Sequence, residues 1–217
     1  MNKKGKVSEL QLFLTVLFVA SLLISNVITS KQILLPFNIT MTGGIYIFPI
    51  TYVLSDLFSE VYGYRWSRIT CYLAFAMNLL MVTMFTLAIK TPSPAYWNDQ
   101  AAFETVLSST PRVLFASLLA FVVGDFVNDK VFKRMKRNYI GTHKMFGVRA
   151  IVSSLIGELV DSLIFLPIAF FGKMPLKTLI VMTITQVFVK TGYEVIILPL
   201  TTFTVKKVSS REQLLSC

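Results

Sequence analysis

Six apolar runs, separated by short polar and basic segments, organise the sequence: Leu10–Ile28, Gly44–Tyr62, Ile69–Ile89, Arg112–Phe126, Val148–Phe171 and Leu176–Val205. A bilayer core about 30 Å thick takes roughly 20 mainly apolar helical residues to cross. The fourth run is short before its first acid, and the sixth is long enough to tilt. None alternates with the period of two that marks a barrel strand. Backbone groups in hydrocarbon must find their hydrogen bonds within a helix or a closed barrel. The pattern therefore predicts an all-α integral membrane protein with six transmembrane helices, forming one membrane domain over residues 1–217.

The segments between the runs set the orientation. Fifteen basic residues fall in one set: Lys3, Lys4, Lys6, Arg65, Arg68, Lys130, Lys133, Arg134, Lys136, Arg137, Lys144, Arg149, Lys206, Lys207 and Arg211. The other set holds five, namely Lys31, Lys90, Arg112, Lys173 and Lys177. Basic residues stay on the cytoplasmic side, so both termini are expected inside, as an even number of spans requires. Thr91–Pro111 is then the longest external loop, a connector with Tyr96 and Trp97 as an interfacial anchor. The sequon Asn38-Ile39-Thr40 also faces outward, where it has no meaning in a bacterial chain.

Composition agrees with a membrane protein. Apolar residues make up 54% of the chain and charged residues 15%, too few to cover a soluble core of this size. The net charge of +10 raises nucleic-acid binding as a possibility. The basic residues, however, sit between apolar runs without the interleaved aromatics of a strand-binding groove, and Lys130–Arg137 reads as an orientation signal in contact with phospholipid. Cys71 and Cys217 have neither metal-ligand spacing nor a disulfide framework and read as free thiols. Lys3, Lys4 and Lys6 ahead of an apolar run imitate a signal peptide. With no small-residue cleavage site and five further runs, an uncleaved first helix is expected.

The chemistry lies in the ionisable residues that the spans keep, at a cost of about 2.5–3.5 kcal/mol each at mid-bilayer on insertion scales. Asp56 and Glu60 are four apart in the second span, Asp125 and Asp129 repeat that spacing in the fourth, and Glu158 and Asp161 are three apart in the fifth. The sixth carries Thr183, Gln186, Lys190, Glu194 and Thr201 along one stripe. Residues three or four apart share a helix face, so these faces are expected to converge away from lipid. Asp125 and Asp129, beside Lys130, Lys133 and Arg134, read more simply as solvated groups at the interface. Lys190 and Glu194 can neutralise each other along their own helix, and His143 sits in a polar loop. Glu158 and Asp161 have no basic neighbour in sequence and need a partner from elsewhere. No phosphate-binding loop, zinc-helix motif or nucleophile elbow occurs, so no enzymatic activity and no cofactor are expected.

Ser25-Asn26, Phe48-Pro49, Asp56-x-x-x-Glu60-Val-Tyr-Gly63 and Arg68 resemble the vitamin uptake transporter family. The likeness is strongest to its queuosine precursor transporters. It continues through Arg149, Ser153-Ser154, Gly157-Glu158-x-x-Asp161-Ser162 and Lys190. It implies six helices with cytoplasmic ends, similar to the substrate-capture subunits of energy-coupling vitamin transporters. It also implies import of 7-cyano- or 7-aminomethyl-7-deazaguanine across the bacterial inner membrane. Span one has Ala20 but lacks the Ala-x-x-x-Ala stripe through which such subunits dock, which leaves an energy-coupling module open, as is a homodimer. Other small heterocycles or vitamins, and a non-transporting membrane subunit, are the alternatives. For a guanine-like ligand, a carboxylate from among Asp56, Glu60, Glu158, Asp161 and Glu194 would accept paired ring and exocyclic donors. Phe165, Phe188 and Tyr193 offer ring faces. Lys190 would meet the ring carbonyl or hold Asp161 charged, and Asn26 and Gln186 would serve the remaining polar edge.

Overall fold

The computed structural model describes residues 7–36, 39–138 and 146–216. It is helical almost throughout. The elements are α1 (Glu9–Ile28), a two-stranded ribbon of β1 (Gln32–Leu35) and β2 (Ile39–Thr42), a 3-10 turn (Gly43–Tyr46), α2 (Phe48–Leu57) and a π turn (Phe58–Tyr62). Then follow α3 (Gly63–Lys90), α4 (Gln100–Leu107), α5 (Thr110–Asn138), α6 (Phe146–Phe170) and α7 (Leu176–Ser216). The ribbon is a small departure from an all-helical reading. Its loop residues 37 and 38, which include Asn38 of the sequon, lie outside the described residues, as does His143.

Among the described residues, four helices are long and apolar enough to cross a bilayer: Glu9–Ile28, Arg65–Lys90, Gln100–Gly124 and Leu176–Ile197. The run Gly44–Tyr62 differs from the single helix that its hydropathy predicts. It is divided into the 3-10 turn, the ten residues of α2 and the π turn, and α2 alone is too short to span. The chain leaves the π turn through Gly63 at φ +80°, a conformation that glycine adopts without the Cβ penalty. The expected external loop is also shorter than Thr91–Pro111. Residues 91–99 are exposed, and α4 and the start of α5 occupy the remainder.

The helices form two compact units. The first comprises described residues 7–31, 42–108 and 193–216. Its core joins Leu14 and Phe18 of α1, Leu54 and Leu57 of α2, Phe58 of the π turn and Ala74 of α3, with Phe18 edge-on to Phe58. Ser8 caps α1 by accepting the Gln11 N–H at 3.0 Å. A β-carbon at Gly43 would stand 2.5 Å from the Ile28 carbonyl oxygen, so only glycine lets the 3-10 turn lie against the end of α1. The faces of α1 and α3 turned from this core are apolar and exposed, among them Leu12, Phe13, Val16, Leu79, Leu80 and Met84. In a helix of spanning length, such faces are the lipid-facing surface.

The second unit comprises described residues 32–36, 39–41, 109–138 and 146–192. Ala116, Ala120 and Gly124 repeat every four residues along the buried side of α5. Small residues at this spacing let helix backbones approach closely in a membrane, and α5 lies in that way along α6. Around Ala116 and Ala120, Val113 packs with Phe165, Leu166, Ala169 and Phe170 of α6 and with Leu179 and Met182 of α7. At the end of α6, Arg112 donates from Nε to the Ile168 carbonyl and from Nη2 to that of Phe171, the latter at 2.8 Å. These are carbonyls that a helix terminus leaves without partners. Gly172, at φ +81°, then turns the chain into α7.

Candidate functional site

The most polar level of the second unit lies where α6 faces α7. Three-residue spacing puts Glu158 and Asp161 on one face of α6. From α7, the Lys190 ammonium donates to Asp161 Oδ2 at 2.9 Å, and the Thr191 hydroxyl donates to Glu158 Oε2 at 3.1 Å. Lys190 is 6% exposed and Glu158 9%, while Asp161 keeps 29%. A buried ion pair contributes little net stability, because desolvation offsets its attraction. Its worth here is to hold charge at a fixed place inside a helical membrane segment. Two carboxyl groups and one ammonium share this level among the described side chains.

One turn before Lys190 on α7 comes Gln186, 2% exposed, and three residues earlier Thr183, whose hydroxyl is committed to the Leu179 carbonyl. Neither Oε1 nor Nε2 of Gln186 has a hydrogen-bond partner, and the same holds for the hydroxyl of fully buried Ser162 on α6. From the third side, Gly124 of α5 brings backbone against Gly157 and Asp161. Any side chain there would push α5 away from the acid pair.

The residues expected from sequence separate accordingly. Glu158, Asp161, Gln186 and Lys190 fall within the second unit at neighbouring levels of α6 and α7. The Lys190 ammonium meets Asp161, one of the acids expected around the site. Phe165 is buried in the apolar cluster, edge-on to Phe170, and Phe188 is 71% exposed; neither ring stands open beside the acids. Asn26 and Tyr193 belong to the first unit. There the Asn26 amide donates to Oδ1 of Asn78 at 2.6 Å, and Asn78 donates to the Ala74 carbonyl at 2.9 Å. The side chains of Asp56, Glu60, Asp125, Asp129, Glu194 and Thr201 lie outside those that the structure describes.

Sequence reasoning missed Thr191, Gly124, Asn78 and the role of Arg112, and Ser162 entered it only as part of a family motif. Asn78 had a readable signal, an amide in the middle of an otherwise apolar run. Gly124 and Thr191 acquire meaning only from the neighbouring helix.

Comparison with known proteins places these features in context. Residues 42–204 match the model of the family described as Putative vitamin uptake transporter. Over 164 residues the chain is 27% identical to a protein of Bacillus subtilis (strain 168) named "Probable queuosine precursor transporter", an alignment covering 75% of this chain and 71% of that one. No solved structure matches.

Proposed function

This chain belongs to the Putative vitamin uptake transporter family, and we propose that it imports a queuosine precursor, 7-cyano- or 7-aminomethyl-7-deazaguanine, across the bacterial inner membrane. As a family member it is a multi-pass membrane transporter and not an enzyme. The observation that carries the reading is the polar level between α6 and α7, where Glu158, Asp161 and Lys190 hold charge inside a membrane segment. A guanine-type edge presents an exocyclic amine with two N–H donors, and the carboxylates accept them. Two donors arriving together offset the desolvation of a buried acid, and the B. subtilis relative bears the name of a queuosine precursor transporter.

In this reading α2 with its flanking turns makes the second crossing and α6 the fifth. The six crossings form one transport domain over residues 1–217, with both termini cytoplasmic. The family description also supports a second reading, uptake of another small heterocycle or vitamin by the same site. Expression in cells unable to make the precursor separates the two. At low external precursor, the protein should restore queuosine in tRNA. Normal membrane abundance without restored queuosine sinks the precursor reading, and direct binding of 7-deazaguanines to purified protein checks it independently.

A further inference from the structure

Lys190 and Thr191 answer the two acids of α6, but a neighbouring level of the same helices holds polar groups that nothing answers. Both polar atoms of Gln186 and the hydroxyl of Ser162 are enclosed without partners. Asp161 faces Lys190 and Glu158 faces Thr191, and further along, Phe165 and Leu166 share a cluster with Met182. That antiparallel register brings Ser162 and Gln186 to one level, between the charged pair and the apolar cluster. A buried amide without a partner bears its full desolvation penalty, and native proteins leave few such groups.

We propose that Gln186 determines the substrate specificity of this transporter by pairing with a lactam edge of the heterocycle. The inference rests on the import reading above and deepens it. A lactam sets a ring carbonyl beside a ring N–H, and a primary carboxamide offers a donor and an acceptor at matching separation. Gln186 Nε2 meets the ring carbonyl, and Oε1 accepts from the ring N–H. Of the described groups nearby, Gln186 alone carries a donor and an acceptor on separate atoms, both without partners. Glu158 and Asp161 only accept when ionised, the Lys190 ammonium only donates, and the hydroxyl protons of Thr183 and Thr191 are committed to the Leu179 carbonyl and to Glu158. Ser162 supplies one further hydrogen bond at the same level. The carboxylates are left for the exocyclic amine, so the amide reads the lactam and the acids read the amine.

The test compares binding of 7-deazaguanine with that of 2-amino-7-deazapurine, which lacks the ring carbonyl and the adjacent N–H proton. Wild-type protein should prefer the lactam by roughly ten- to a hundredfold, as two neutral hydrogen bonds imply. In Gln186→Met the preference should fall to near unity, while the melting temperature of the empty protein holds or rises, because no existing bond is lost. A glutamine with a purely structural role gives the opposite result, a lower melting temperature with the preference intact. Gln186→Glu, which keeps the shape but loses the donor, should also lose the preference and serves if the methionine variant fails to insert. A preference that survives in either inserted variant overturns the role of Gln186 and leaves import standing. Wild-type protein that binds neither compound overturns the role of Gln186, and the import reading falls with it only if 7-cyano- and 7-aminomethyl-7-deazaguanine are not bound either.

Discussion

Gly124 of α5 presses against Asp161 of α6. A β-carbon on Gly124 would stand 3.2 Å from the Asp161 Cβ and 3.1 Å from the Gly157 carbonyl oxygen. The second neighbour is backbone inside a helix and cannot rotate away. Overpacking of this kind costs about 1–3 kcal/mol. Gly124→Ala should therefore lower the melting temperature of purified protein and reduce uptake, and Gly124→Val should abolish uptake. An alanine variant with wild-type stability and transport would show that α5 does not position the acid pair.

The Lys190–Asp161 pair predicts a rescue. Asp161→Asn removes one partner of an ammonium that is 6% exposed. Breaking a buried pair in this way costs about 3–5 kcal/mol, reduced here because Asp161 is 29% exposed and Glu158 is one turn away. Membrane abundance should fall in Asp161→Asn and recover when Lys190→Met is added. Uptake should be lost in both. Wild-type transport by Asp161→Asn would remove this acid from the ligand site and make Asp56 the leading candidate.

Arg112 closes the end of α6 from α5 through the carbonyls of Ile168 and Phe171. Hydrogen bonds from a charged donor contribute about 1.5–3 kcal/mol, the lower end applying to a partly exposed group. Arg112→Ala should destabilise the protein by that amount in a detergent melt, and Arg112→Lys should recover part of the loss, since an ammonium lacks the fork that reaches both oxygens. Ligand preference should not change. An altered lactam preference in Arg112→Ala would place this guanidinium in recognition, where the geometry gives it no part.

Orientation is open to a direct measurement. Cysteines introduced at Asn98 and Asn138 should react from opposite sides with an impermeant thiol reagent in intact cells, with only the one at position 98 labelled. Outside labelling at position 138 would reverse the assignment drawn from the basic residues.

Much of this was legible in the hydropathy pattern, and the exceptions share a cause. Apolar runs announce helices, so α1, α3, α5, α6 and α7 follow from the sequence with shifts only at their ends. The second run misled because hydropathy does not register backbone geometry. The break between α2 and α3 comes from the π turn and the positive φ of Gly63. The acids of α6 were readable as residues that needed a partner, and Lys190 was a nameable candidate. Thr191 and Gly124 were not, since a threonine beside a lysine or a glycine within an apolar run has no distinctive pattern. Only the register of α6 against its neighbours gives them a role. Asn26 was identified as polar and noteworthy, but its observed partner is Asn78, 52 residues away, and sequence carries no direct trace of that pairing.

The Asn26–Asn78 bond has a consequence for how the protein is made. Asn26 lies near the end of α1, and the residue that accepts its amide proton is synthesised 52 positions later. At about 5–20 residues per second, α1 waits some seconds before α3 can answer it. During that interval an unpaired amide must be tolerated near the membrane, sheltered by the insertion machinery or by water at the interface. Bonds between membrane helices are worth about 0.6–2 kcal/mol, enough to favour one register of α1 against α3 as the second helix arrives. The pair thus closes only when the two helices lie at matching depth.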